Sequence, residues 1–197
     1  MDATLLNALD QPALLNQVRR LCLSGARLTP TGFSNLRHAT RLERLDLSGA
    51  DVDDDVILNL KGLTDLRTLH LNATRITDAG LTSLASLRHL QTLGMRDTAI
   101  TDAGLEHLKD LTQLENLYLD RTRLVGDGLH WLRHLQQLDL ITLDDTRLTD
   151  RNLEHLKALR KLTRADFAGS NVTDAAKRAF QEFLIQRARL RREGELA

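Results

Sequence analysis

Apolar residues in this chain return every 24 residues with no insertion or deletion between them. The first column is Val18, Leu42, Leu66, Leu90, Leu114, Leu138 and Leu162. Three positions on come Leu21, Leu45, Leu69, Leu93, Leu117, Ile141 and Ala165, and two beyond those Leu23, Leu47, Leu71, Met95, Leu119, Leu143 and Phe167. A fourth column holds Leu28, Val52, Ile76, Ile100, Leu124, Leu148 and Val172. A unit of 24 residues cannot bury its leucines alone, but stacked units share one continuous core. The period therefore demands a solenoid of seven units over residues 18–172.

Each unit reads LxxLxLxxTxITDxGLxxLxxLxx, with two internal rhythms. In LxxLxL the period is two, so Leu69 and Leu71 face one way while Thr68, His70 and Asn72 face the other. In "TDAGLTSLASL" Leu81, Leu84 and Leu87 recur every three residues, which suits a short helix or 3₁₀-like turns. Strand and helix in strict alternation predict an α/β fold with parallel strands and helices on one side.

The LxxLxLxxTxI segment followed by a helical half opening on TDAGL resembles leucine-rich repeat proteins. It is most similar to the bacterial "ITDAGL" type and more distantly to the cysteine-containing repeats of F-box adaptors and ribonuclease inhibitor. Where Asn or Cys commonly follows the strand, this chain has Thr74, Thr98, Thr122 and Thr146, then Ser170, with Ala26 and Ala50 in the first two units. The resemblance implies a right-handed β–α superhelix shaped as a horseshoe, with a concave parallel sheet, convex short helices and protein recognition through the concave face.

The octet "TRITDAGL", written again as "TAITDAGL", reads as frame. Thr77, Thr101, Thr149 and Thr173, with Asp53 in the second unit, are expected to cap helix N-termini, and Asp78, Asp102, Asp150 and Asp174 to complement the positive helix end. Gly80, Gly104 and Gly128 are expected to permit close packing or an unusual dihedral. The corner threonines are expected to satisfy loop backbone groups, and Ala26 and Ala50 to need water or another turn geometry.

Open solenoid ends need closing. Residues 1–17 are expected to form an N-terminal helical cap through Leu5, Leu6, Leu9, Leu14 and Leu15, with Pro12 starting its second helix. Residues 173–197 are expected to form a closing helix that lays Phe180, Phe183, Leu184 and Ile185 over the last unit. Its far end is basic through Arg187, Arg189, Arg191 and Arg192. Those arginines suit a solvated helix C-terminus, or else an acidic partner, RNA, or a junction to the rest of a larger protein.

Aromatics make up only 3% of the chain, so leucine does the packing. With 27 Lys+Arg against 27 Asp+Glu, no global charge draws it to nucleic acid or membrane. The single cysteine, Cys22, excludes an internal disulfide framework and fits a reducing compartment. No apolar run reaches the ~20 residues of a membrane span, and no signal peptide is legible. A cytoplasmic protein, or a fragment of a larger one, is the expectation.

Side chains that vary at outward strand positions are free to serve a ligand. They run Arg20, Arg44, Thr68, Thr92, Asn116, Leu140, Arg164; then Cys22, Asp46, His70, Gly94, Tyr118, Thr142, Asp166; then Ser24, Ser48, Asn72, Arg96, Asp120, Asp144, Ala168. Gly94 is expected to leave a hollow walled by His70 and Tyr118. The partner-binding set is Arg20, Arg44, Asp46, His70, Arg96, Tyr118, Asp120, Leu140 and Asp144, because Tyr and Arg are favoured anchors and an apolar strand position beside them is unusual.

Catalysis is the weaker alternative. Cys22 and His70 share a column but stand two rungs, roughly 10 Å, apart. A His70–Asp46 dyad is the one enzymatic arrangement left. On the convex side His130 and His134 in "HWLRH" lie one α-helical turn apart, flanked by His107 and His155, without the glutamate of HExxH. No catalytic, metal or cofactor residue is assigned. The expected function is a non-catalytic protein–protein interaction module, an adaptor or scaffold for an unidentified protein partner. The alternatives are the recognition part of a larger enzyme or effector, such as a ubiquitin-ligase-type adaptor, and an enzyme using His70 and Asp46.

Overall fold

The computed structural model describes residues 12–27 and 30–193. Seven strands of three residues run through it: β1 (Arg20–Cys22), β2 (Arg44–Asp46), β3 (Thr68–His70), β4 (Thr92–Gly94), β5 (Asn116–Tyr118), β6 (Leu140–Thr142) and β7 (Arg164–Asp166). They form one parallel sheet in the order β1 to β7. Its register is the one the period dictates. Leu21 pairs with Leu45, Leu45 with Leu69, and so on to Ile141 with Ala165. From Leu45 to Ile141 this middle column is 1% exposed or less, while its strand neighbours face outward.

Helical segments return the chain on the opposite side: α1 (Pro12–Leu15), α2 (Pro30–Asn35), α3 (Asp54–Ile57), α4 (Asp78–Leu84), α5 (Leu153–Leu156) and the long α6 (Asp174–Arg192). Two returns, Gly104–Leu108 and Asp127–His134, are entirely 3₁₀. A leucine at every third position, as in Leu129, Leu132 and Leu135, makes one inward line at three residues per turn, and all three are fully buried.

Leaving each strand, the chain passes through a left-handed residue at the same place in every unit. Glycine fills it in the outer units, at Gly25, Gly49 and Gly169, but Ala73, Asp97, Arg121 and Asp145 hold φ near +55° in the middle four. One residue on, the buried hydroxyls of Thr74, Thr98, Thr122 and Thr146 each donate to the carbonyl three residues back, at 2.6 Å. In the first two units the same carbonyls, of Leu23 and Leu47, take the backbone N–H of Ala26 and Ala50 instead, at 3.0 Å. The turn changes its donor and keeps its acceptor.

At the far end Phe180 and Leu184 are 3% exposed, and Phe180 meets Phe167 edge-on at 5.7 Å. Ile185 departs from expectation: it is 56% exposed. The face made by Phe180, Phe183 and Leu184 excludes it, because the next residue turns about 100° away. At the other end Leu15 is buried and Leu14 is exposed. Leu5, Leu6, Leu9 and Leu28 lie outside the described residues. No described helix is long and apolar enough to cross a membrane.

Candidate protein-binding surface

The frame must be separated from the surface first. Thr77 caps α4 by accepting the N–H of Ala79, Asp53 accepts that of Val56, and Thr173 that of Ala176. The aspartates next to the caps stand in the first helical turn, where a negative charge suits the helix end, and their hydrogen bonds add a second role. Asp54, Asp78 and Asp150 reach the following unit. Each accepts both the backbone N–H and the hydroxyl of the next cap threonine, Thr77, Thr101 or Thr173, at 2.5–2.9 Å. Asp102 meets no threonine at 125 and accepts the N–H groups of Val125, Gly126 and Gly128. The glycines make room for this ladder. A Cβ on Gly80 would stand 2.5 Å from the Asp54 carboxylate, and one on Gly104 2.3 Å from that of Asp78. The signal was legible as spacing, since Asp54, Asp78 and Asp102 are each followed 26 residues later by glycine.

The concave face divides into three zones. Arg20, Cys22, Arg44, Asp46, Thr68 and His70 line a shallow depression of about 310 Å³ at the N-terminal end. Midway, the guanidinium of Arg96 lies 4.5 Å above the centroid of the Tyr118 ring, and its Nε forms an ion pair with Asp120. Asp120 is 5% exposed and also accepts the hydroxyl of Thr142 at 2.6 Å and the N–H of Asp144 at 3.0 Å. It presents almost nothing outward; it fixes Arg96, whose side chain is 40% exposed. Half-buried Leu140 stands one rung away, paired with Asn116 and Arg164.

The third zone is acidic. Asp144 accepts the N–H of Ala168 at 2.6 Å, and burial, then the carboxylates of Asp120, Asp166 and Asp145, push its pKa up despite that bond. Asp166 is held by Arg164 at 2.9 Å. On the adjoining loops Arg121 grips Asp97 through two bonds of 2.6 and 2.7 Å, which lowers the Asp97 pKa.

A model of the leucine rich repeat matches residues 64–124. Among solved structures the chain is similar to internalin C2 from Listeria monocytogenes, with a TM-score of 0.70 and 24% identity. That match covers 91% of this chain and 89% of the other. A comparison with curated proteins returns no match.

The chain has the leucine-rich repeat fold.

On this leucine-rich repeat sheet the expected hollow at Gly94 is filled. The His70 imidazole and the Asn72 amide lie over it, so that a Cβ there would meet His70 Nδ1 at 2.8 Å and Asn72 Oδ1 at 2.9 Å. Asn72 is also tied down: it accepts the N–H of Arg96 and donates to Ser48. Because His70 leans toward Gly94, and the Asp46 carboxylate turns to the N–H of Ser48 at 2.9 Å, no hydrogen bond between His70 and Asp46 appears among the described residues. Cys22 sits two strands from His70, as the register requires.

The convex histidines are separated by the 3₁₀ geometry of Asp127–His134. With three residues per turn, positions four apart point about 120° away from each other, unlike the α-helix the spacing suggested. His130 stacks on Trp131 at 4.6 Å and approaches His155 at 6.1 Å, while His134 pairs with Arg133. No group of three or more His, Cys, Asp or Glu able to hold a metal occurs among the described residues.

Proposed function

We propose that this leucine-rich repeat chain is a non-catalytic protein-binding module whose concave centre, Arg96 with Tyr118 and Leu140, is the anchor for a protein partner. One observation carries the reading. Arg96 is the exposed member of a cluster that does not repeat: its guanidinium is stacked on Tyr118 and held from beneath by Asp120, itself bonded to Thr142. An arginine and a tyrosine fixed before binding lose little side-chain entropy on association, and these residue types dominate binding hot spots. The neighbouring zones supply basic residues at Arg20 and Arg44, and acidic ones at Asp144 and Asp166, to orient the partner.

The test is affinity capture from the native cell with the immobilised chain and two variants. Arg96→Ala/Tyr118→Ala should lose a protein that the wild-type chain retains, while convex Leu58→Ser retains it. Equal retention by the concave variant removes this surface from consideration. Thermal melts of all three proteins ensure that folding is compared as well.

A further inference from the structure

We propose that a groove at the C-terminal end of the solenoid, between α6 and the loop that follows α5, docks a short acidic peptide segment bearing an apolar side chain. This is a second surface, separate from the concave centre. The groove has a volume of about 500 Å³, and its apolar lining is Phe183 and Leu190, the Phe183 ring being faced by Lys157 at 5.6 Å as well as by Arg187. Lys157, Arg160, Arg187 and Arg191 stand around it, and among the described residues no carboxylate lines it.

Along the repeats some arginines are neutralised and others, such as Arg20, Arg44 and Arg67, form no ion pair among the described residues. Arg75, Arg96, Arg121, Arg151 and Arg164 each contact an aspartate. Arg160, Arg187 and Arg191 form no ion pair among the described residues, and only Lys157 has one, with Glu154 at 2.6 Å. Arg187 is not the solvated helix end that the basic run suggested. It packs over the Phe183 ring at 5.0 Å and donates to the carbonyls of Lys157 and Leu162. Burial, and then Arg191, lower its pKa, so the cation is held at a cost that an incoming carboxylate would offset.

Charge complementarity selects an anionic ligand, and the apolar lining of Phe183 and Leu190 selects one with an apolar side chain. A bilayer is disfavoured because Ile185, the exposed large apolar residue of this helix, is not among the residues lining the groove. A nucleic acid strand is disfavoured because the four cations ring one cavity and do not form a track along which phosphates could run.

The test is fluorescence anisotropy on the full chain with a labelled peptide of alternating glutamate and leucine. Control peptides carry glutamine for glutamate, or serine for leucine. The variant is Arg160→Glu/Arg191→Glu, which leaves the carbonyl bonds of Arg187 in place, with thermal melts to compare folding. The parent peptide should bind, both control peptides should bind at least fivefold more weakly, and the charge reversal should cost about tenfold or more. The concave Arg96→Ala/Tyr118→Ala variant should bind as the wild type does. The proposal fails if the parent peptide does not bind, or if the reversal leaves its affinity unchanged. Equal binding of the serine peptide overturns it too, as does tighter, reversal-sensitive binding of phosphatidylserine vesicles or oligothymidylate.

Discussion

Asn152 occupies the space that a carboxylate at position 126 would fill, and Gly126 is what leaves that space open. A Cβ on Gly126 would fall 2.4 Å from Asn152 Cγ. The Asn152 oxygen accepts the N–H and hydroxyl of Thr149 at 2.8 and 2.9 Å, which is the bond pair an aspartate of the preceding unit makes elsewhere. One rung of the ladder has thus been rewritten with both partners changed together. Asn152→Gly should cost about 1–3 kcal/mol by leaving Thr149 unpaired, and Gly126→Asp should be destabilising through the clash. Combined, they should recover at least about 1 kcal/mol relative to additivity in urea denaturation. Strict additivity would mean that the two positions do not communicate.

The ladder also makes a prediction one repeat earlier. Asp78→Ala removes a charged acceptor for two donors of Thr101, so it should lower unfolding free energy by about 2–3 kcal/mol. Exposed Asp65, also an aspartate but outside the ladder, should tolerate Asp65→Ala within about 0.5 kcal/mol. Chemical denaturation of the two variants side by side separates a structural carboxylate from a merely acidic surface.

The left-handed corner offers a backbone test with no side-chain contacts to confuse it. Gly49 has φ +66°, and a Cβ there would meet no atom closer than 3.9 Å. Gly49→Ala should therefore cost about 1 kcal/mol from the dihedral alone. At Ala73, already at φ 52°, the reverse change Ala73→Gly should be neutral or stabilising by up to about 1 kcal/mol. A lower melting temperature for Gly49→Ala and an unchanged or higher one for Ala73→Gly are the expected result.

Asp144 provides the pH test. Its pKa is raised by burial and by Asp120, Asp166 and Asp145, so the native state holds the proton more tightly than the unfolded chain does. Stability is therefore lost as pH rises from the unfolded value through the raised native one. Asn keeps an oxygen for the N–H of Ala168 and carries no charge. Asp144→Asn should melt higher than the wild type at neutral pH, and the difference should vanish below the ordinary carboxylate range. A difference independent of pH would assign the effect to packing.

Most of the fold was legible because a 24-residue period fixes register, and register fixes which side chains share a column. The Arg20-to-Arg164 and Cys22-to-Asp166 columns follow directly from strand pairing. Lateral reach was not legible. Periodicity places Gly94 opposite His70, but only the structure shows the imidazole and Asn72 leaning over it. Likewise the spacing of His130 and His134 suggested one α-helical face, and the choice of 3₁₀ over α turned them apart. The aspartates' second role went unread for a related reason: a charge at a helix end can be read inside one unit, whereas their hydrogen bonds cross to the next. Asp120 looked like a surface acid because its strand position is outward, yet Arg96 and Thr142 bury it.

The central claim is that a protein partner sits on the concave centre. Photo-crosslinking tests it most directly, with benzoylphenylalanine placed at Leu140 in one protein and at convex Leu58 in another, leaving Arg96 and Tyr118 intact. The account predicts an adduct with the captured partner from position 140 and none from position 58. An adduct from 58 with none from 140 would place recognition on the convex side and contradict it.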